Sequence, residues 1–133
     1  MLGTFQQSQL RIEVKASEAM IREAILCPEQ FLHWMWPQQF SKGLPHQLTS
    51  GLKFMSWVGP IAIQHDVRSA TDQELKMSLS QGIDGIHEWC WGDGWIQSSI
   101  EGISLLPISL GQTLSLLRLR QFVEARHQQD LSE

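Results

Sequence analysis

Residues 12–34 read IEVKASEAMIREAILCPEQFLHW and decide the fold. The segment begins in a strand, since its first apolar residues alternate with polar ones. Ser17 is a good N-cap for a helix that begins directly after it. Pro28 ends that helix and suits the first turn of a second short helix, predicted over 29–35. The chain therefore opens with a strand that is followed by two short helices.

Most of the remaining chain is predicted to form antiparallel strands. Apolar and polar residues alternate with the period of a half-buried strand, and Gly92-Asp93-Gly94 is a strong signal for a hairpin between the last two strands. The loop over 37–51 holds at most one short strand. The predicted strands cover residues 4–15, 46–49, 52–58, 61–68, 74–80, 86–91 and 95–104.

A long helix follows Pro107 and is predicted over 110–125, with a polar tail at 128–133 that is expected to fray. At ~100° per residue, Leu114 and Leu117 point to one side of this helix, and its other apolar side chains point roughly to the opposite side. Either the sheet and the long loop cover the two sides, or one side forms a dimer contact or a ligand-facing lip.

Length, charge and cysteine content exclude several classes of protein. The 133 residues fit one domain, which we place over the whole of 1–133. A net charge of -4 gives no basic footprint for nucleic acid. No apolar run approaches the ~20 residues that cross a bilayer, and no secretory signal is present, so we expect a cytoplasmic protein. The five histidines and two cysteines lack ligand spacing, so we predict no metal and no cofactor.

Three short segments carry a resemblance to a known family. Residues 14–16 (VKA) and 27–34 (CPEQFLHW) match its Val-x-Ala and Asp-Pro-Glu-x-Phe-x-x-Trp patterns, and 51–54 (GLKF) also fits. With its order of elements, the chain resembles the START-like superfamily, also called SRPBCC or Bet v 1-like, over essentially its whole length. Cys27 departs from the aspartate of the pattern, and the WIQ of 95–97 departs from its Thr-Arg-Val type of sequence.

The resemblance implies an α+β helix-grip fold. Its curved antiparallel sheet of about seven strands would carry two short helices after strand 1 and a long C-terminal helix packed across it. The resemblance also implies binding of hydrophobic ligands such as lipids, polyketides, sterols or quinones, with cyclase or hydrolytic chemistry in some branches. One fold serves all these roles, so the fold alone does not assign a function.

His65 is the most interesting single residue. It shares a strand face with Ile61, Ile63 and Val67, so an inward face would direct its imidazole into a cavity between sheet and helix. A neutral histidine there could orient a carbonyl group or act as a general base. The alternative is a core histidine whose hydrogen bonds are satisfied by a neighbour.

Half of the six tryptophans fall in the last hairpin. His87, Trp89 and Trp91 share one strand face, and a turn centred on Asp93 would add Gln97 to that face. We favour this tryptophan face as the inward one. In the alternative, the isoleucines of the last strand form the core and the tryptophans cover an outer surface.

Our leading hypothesis is a non-enzymatic protein that binds a small hydrophobic molecule, such as a lipid, polyketide or quinone, between the sheet and the last helix. Transfer of apolar surface from water, at ~25 cal/mol per Å², would supply most of the affinity. The predicted ligand-binding residues are Trp57, His65, His87, Trp89, Trp91, Gln97, Leu114 and Leu117.

Two alternatives belong to other classes. The first is an enzyme of the cyclase or dehydratase type, in which His65 or His87 moves a proton, and two titratable groups in one pocket would favour it. The second is a structural or interaction protein with a filled core. A homodimer through the C-terminal helix is the protein partner that we consider.

Overall fold

The computed structural model describes residues 3–35 and 38–132, and within them it confirms the α+β helix-grip architecture. Seven antiparallel strands form one curved sheet in the order β1-β7-β6-β5-β4-β3-β2. The strands are β1 Thr4–Glu13, β2 Gln39–Phe40, β3 Lys53–Val58, β4 Ile61–Ala70, β5 Glu74–Gln81, β6 Ile83–Gly92 and β7 Trp95–Ser104. The helices are α1 Glu18–Leu26, α2 Pro28–Trp34 and α3 Ile108–Ser132.

Helix α3 packs across the concave side of the sheet. It contacts β1 and β7, and also the two short helices that close one end of the sheet. Its core-facing residues Leu116, Leu119 and Val123 are fully buried. Their spacing of three and four residues is that of one helix face, so a single stripe of α3 covers the sheet.

The junction between α1 and α2 follows the pattern of caps in the sequence. The Ser17 hydroxyl accepts a hydrogen bond from the Met20 backbone N–H (3.3 Å), as a helix N-cap does. Cys27 makes no such side-chain cap for α2, which begins at Pro28. Instead, the buried Trp34 indole donates to the Ala24 carbonyl oxygen (2.9 Å) and so ties the end of α2 to α1.

A pair of glycines marks the tightest point of the sheet. Gly85 of β6 lies directly opposite Gly102 of β7. A Cβ on Gly102 would lie 2.6 Å from the Asp84 carbonyl oxygen, and one on Gly85 would overlap the Glu101 carbonyl oxygen. Only glycine permits this close approach, which is typical of a sharp bend in a sheet.

The structure corrects the predicted short strand at 46–49. These residues form no strand, and β2 lies earlier, at Gln39–Phe40. Leu48 is buried instead, and its backbone N–H donates to the Leu26 carbonyl oxygen (2.8 Å). Leu48, which lies within the predicted strand, therefore packs under α1.

Two other predicted boundaries change. Helix α3 begins at Ile108 and continues to Ser132, so 128–132 is helical where fraying was expected, and Glu133 lies outside the described residues. Residues 81–85 lie between two predicted strands, and the turn there is shorter than that gap implied. Gln81 adopts a φ of 72°, which closes the turn early, and β6 begins at Ile83.

Candidate ligand-binding cavity

A cavity of about 250 Å³ lies between the concave face of the sheet and the first half of α3. Strands β2 to β7 supply its sheet wall, and Trp34 of α2 lies at the end closed by the short helices. Most of the wall is aliphatic or aromatic. The sheet side includes Ile63, His65, Leu75, Met77, Leu79, His87, Trp89 and Ile100.

The cavity opens beside the start of α3. Val58, Leu110 and Leu114 line it and are also 38%, 56% and 48% exposed, respectively. Apolar side chains that touch both the cavity and solvent mark its mouth. A ligand would enter between the end of β3 and the first two turns of α3.

His65 is one of two histidines in the wall. It is 5% exposed, its ring stacks on Phe54 with centroids 4.6 Å apart, and its Nε2 lies 2.8 Å from the Ser56 hydroxyl oxygen. Burial lowers the pKa of His65 to about 4, because the protein interior disfavours the charged form. The imidazole is therefore neutral at neutral pH.

His87 is the second histidine. Its Nε2 lies 3.1 Å from the Ser98 hydroxyl oxygen, and its ring lies beside Trp89 with centroids 5.0 Å apart. Burial, and to a smaller extent the positive charge that His65 would carry, together lower the pKa of His87 to about 3. The side chain of His87 is half-buried, because part of its surface faces the cavity.

Gln112 joins α3 to the sheet beside His87. Its amide nitrogen donates to the Ser98 carbonyl (2.9 Å) and hydroxyl (3.1 Å) oxygens, and its amide oxygen accepts from the Ser8 hydroxyl (2.6 Å). Gln112 is not among the predicted site residues, although the sequence carries a signal for it. It lies four residues from both Ile108 and Leu116 on the buried helix face, where a polar residue needs a partner.

The structure brings four of the eight predicted ligand-binding residues to the cavity and leaves four elsewhere. His65, His87, Trp89 and Leu114 line it. Trp57, Trp91, Gln97 and Leu117 lie outside its lining.

The predicted position of Gln97 was wrong because the hairpin turn has two residues. Gly92 pairs with Trp95 around Asp93 and Gly94, so Trp89 lies opposite Ser98. A turn centred on Asp93 would have shifted this register by one residue, and such a shift reverses the faces. Gln97 therefore lies on the outer face, where its amide oxygen accepts from the Arg11 guanidinium (2.9 Å).

The inward face of the hairpin combines the two alternatives of the sequence analysis. Trp89 and Trp91 are buried as the favoured alternative predicted, and Ile96 and Ile100 are buried with them. Trp91 is 1% exposed and packs in the core beyond the end of the cavity.

Trp57 and Leu117 also point away from the cavity. Along β3 the buried residues are Phe54 and Ser56, so the half-buried Trp57 belongs to the other face. Leu117 is 38% exposed on the side of α3 away from the sheet, three residues beyond Leu114.

The described wall carries no formal charge at neutral pH, since it contains no lysine, arginine, aspartate or glutamate and its histidines are neutral. Within 3–35 and 38–132, no group of three or more histidine, cysteine or acidic side chains is placed to hold a metal ion. Across the same ranges, none of the helices has the length and apolarity needed to span a membrane. The cavity thus offers apolar surface and a few neutral polar groups.

No family model matches the sequence, and no curated protein matches it. Solved structures do resemble the fold. Protein CV1439 from Chromobacterium violaceum is 20% identical with a TM-score of 0.71, over 89% of this chain and 97% of that one. Major latex-like protein 151 from Panax ginseng is 10% identical with a TM-score of 0.66, over 94% and 99% of the two chains.

A third structure comes from a biosynthetic gene locus. DynU16, a protein in the dynemicin biosynthetic locus, is 15% identical with a TM-score of 0.68 over 89% of this chain. The match covers 47% of DynU16, so the chain spans about half the length of that protein. At these identities the likeness concerns the fold. The chain therefore shares its helix-grip fold with these solved structures, which is consistent with the SRPBCC/Bet v 1-like fold that its sequence pattern predicted.

Proposed function

We propose that the protein binds a small hydrophobic molecule, such as a lipid, a polyketide or a quinone, in the cavity between the sheet and α3. One observation carries this proposal: about 250 Å³ of apolar space stays unfilled in an otherwise packed core. Protein interiors are close-packed, and each unfilled apolar volume costs stability. A ligand that fills the space recovers those contacts.

The volume limits the size of the molecule. A cavity of about 150 Å³ lined by apolar side chains binds benzene, so this cavity corresponds to roughly ten non-hydrogen atoms on the same scale, and a molecule of up to about fifteen atoms would reach into the mouth. Burial of about 300 Å² of apolar ligand surface contributes on the order of 7 kcal/mol before the costs of association. We therefore expect dissociation constants that are micromolar or weaker. A longer ligand would extend through the mouth beside Leu110 and Leu114.

An enzyme of the cyclase or dehydratase type is our second candidate, because two titratable groups, His65 and His87, line one cavity. Their pKa values of about 4 and about 3 lie far below neutral pH. A general base works best with a pKa near the working pH, so both imidazoles are weak bases as they stand. The third candidate, a filled core, is disfavoured by the cavity itself.

Cytoplasmic location stays a prediction, and so does a homodimer through the C-terminal helix. Helix α3 exposes Leu110, Leu114 and Leu117 along one side, which supports the second prediction. Light scattering during size-exclusion chromatography tests it, since a monomer mass at all accessible concentrations would contradict the dimer.

Titration with apolar probes tests the binding proposal. Trp34 and Trp89 line the cavity, so we expect a probe of ten to fifteen non-hydrogen atoms to change the tryptophan fluorescence at micromolar to millimolar concentration. Leu79→Trp fills the cavity from β5 and should abolish saturable binding. The matched control is Leu105→Trp at a residue that is 74% exposed, and it should bind as the parent does. Equal binding by both variants would contradict the cavity as the site.

A further inference from the structure

The amide of Gln112 has one orientation that its surroundings permit. Its nitrogen lies 2.9 Å from the Ser98 carbonyl oxygen and 3.3 Å from the Ser8 carbonyl oxygen. Carbonyl oxygens only accept hydrogen bonds, so the group facing them must be the donating NH₂. The amide oxygen then accepts from the Ser8 hydroxyl at 2.6 Å. These three polar groups therefore fix the Gln112 amide in one orientation.

This orientation fixes the direction of the next hydrogen bond. The Ser98 hydroxyl oxygen lies 3.1 Å from the Gln112 amide nitrogen, which cannot accept a hydrogen bond, so the one hydrogen of that hydroxyl points elsewhere. Among the described residues, the only acceptor at bonding distance from that hydroxyl is His87 Nε2, at 3.1 Å. Ser98 therefore donates to His87 Nε2, and the neutral imidazole carries its hydrogen on Nδ1.

The Nδ1–H of His87 is left for something outside the described chain. Within residues 3–35 and 38–132, the one hydrogen bond of the imidazole is that to Ser98, and its ring lines the cavity. His87 Nδ1 is not one of the fully enclosed polar atoms, so it is accessible from the cavity, where a ligand can meet it. A ligand in the cavity is the natural acceptor.

The same arrangement recurs on the neighbouring part of the sheet. The Gln38 amide nitrogen donates to the Ser56 hydroxyl (2.6 Å), which lies 2.8 Å from His65 Nε2. His65 Nδ1 is buried and has no hydrogen-bond partner among the described residues. Both histidines are thus neutral, and each has its Nε2 engaged by a serine. Two such sets beside one cavity argue for a polar recognition role.

We propose that the ligand is an uncharged molecule with a hydrogen-bond acceptor, such as a carbonyl oxygen, that accepts from the Nδ1–H of His87, with Ser98 and Gln112 as the positioning residues. This inference rests on the proposed binding function and narrows its ligand class. An anionic ligand would meet no positive charge in the described wall, and an unpaired buried charge is strongly disfavoured. A ligand with no acceptor would leave the His87 donor unsatisfied.

The imidazole tautomer is tested first, by NMR of protein labelled with ¹⁵N-histidine. At neutral pH we expect the ¹⁵N shifts of His87 to show a protonated Nδ1 and an unprotonated Nε2. Ser98→Ala removes the donor to Nε2 and should shift the tautomer toward Nε2–H, which a purely structural role of Ser98 would not do. Ser99→Ala, on the other face of the same strand, should leave the pattern unchanged. Protonation of Nε2 in the parent protein would overturn the assignment.

Ligand class is tested with probes that have equal numbers of non-hydrogen atoms: 2-acetylnaphthalene, 2-isopropenylnaphthalene and 2-naphthoate. By calorimetry we expect the ketone to bind about tenfold more tightly than the hydrocarbon, with the carboxylate weakest. His87→Phe should bind the ketone and the hydrocarbon with about equal affinity. If His87→Phe does not fold, Ser98→Ala should reduce the preference for the ketone severalfold.

The outcomes separate the two proposals. Binding of the carboxylate as tight as that of the ketone would overturn the inference while leaving the binding function intact. If His87→Phe or Ser98→Ala still preferred the ketone over the hydrocarbon as the parent does, the inference would also be overturned and the binding function would again stand. Failure of all three probes to bind would contradict the proposed function itself.

Discussion

The two ends of the core are built from the same strands and the same helix, yet one is solid and the other is hollow. The filled end consists of Trp91 and Ile96 near the β6–β7 turn together with Leu119 and Val123 of α3. These four side chains are all at most 1% exposed, and none of them lines the cavity. Glu124 fixes this end by accepting from the Lys15 backbone N–H (2.9 Å).

The cavity end lies further along the same elements. Its residues are His87 and Ile100 of the hairpin and Ile108, Gln112 and Leu114 of α3, and all five line the cavity. Polar hydrogen bonds between Gln112, Ser98 and His87 replace apolar packing here. The filled end therefore holds helix α3 on the sheet, and this allows the cavity end to leave space for a ligand.

Matched truncations of two isoleucines on β7 should give the largest difference in stability between the two ends. Ile96 is 0% exposed in the filled end, and Ile100 is 6% exposed in the cavity wall. Ile96→Ala opens a new void and should lower the free energy of unfolding by about 4 kcal/mol. Ile100→Ala only enlarges an existing void and should cost about 2 kcal/mol. Urea denaturation measures both, and equal costs would mean that the two ends are packed alike.

The second prediction concerns acid. Burial lowers the pKa values of His65 and His87 from 6.5 to about 4 and about 3. Between those values and 6.5 the unfolded chain binds more protons than the folded one, so their contribution to stability is lost as the pH falls below 6.5. Each histidine should account for a loss of roughly 3 kcal/mol between pH 7 and pH 4.

Variants at the two ends separate this effect from general acid unfolding. His65→Phe and His87→Phe should each flatten the loss of unfolding free energy between pH 6.5 and pH 4. Trp91→Phe in the filled end should lower stability without changing that slope. The prediction fails if the histidine variants keep the parent's pH dependence.

The smallest effects should come from two glycines beside the cavity end. Gly102→Ala places a Cβ 2.6 Å from the Asp84 carbonyl oxygen and should destabilise by about 2 kcal/mol through backbone displacement. Gly111→Ala, in the first turns of α3, would meet nothing within 4 Å and should stabilise by about 0.5 kcal/mol. Thermal unfolding should show shifts of opposite sign. If both variants shifted the melting temperature in the same direction, either the tight contact at Gly102 or the open space at Gly111 would be contradicted.

The sequence predicted the element order because its signals are local. Alternation, the Ser17 cap and Pro28 each act within a few residues, and the structure has the strand, the two short helices and the long helix that they predict. His65 was placed on the correct strand face for the same reason, since alternation within β4 fixes which residues share a face.

The errors concern relations between elements. Alternation within a strand could not show whether Gln97 lies on the same sheet face as His87. That depends on whether the hairpin loop between their strands has two residues or one. The place of Leu48 under α1 was missed because an apolar residue in a loop does not reveal which element it packs under. The hydrogen bonds among Gln112, Ser98 and Ser8 join residues about one hundred positions apart or on different elements, so no local pattern predicted them.

Native mass spectrometry of the protein purified from its source cells shows whether a small molecule occupies the cavity between the sheet and α3. We expect a fraction of the protein to carry one small organic molecule that dissociates on activation, of a size set by the cavity of about 250 Å³. That mass should be absent from Leu79→Trp, whose indole fills the cavity, and present in Leu105→Trp. The same bound mass in Leu79→Trp would show that the molecule lies elsewhere and would contradict the cavity as the binding site.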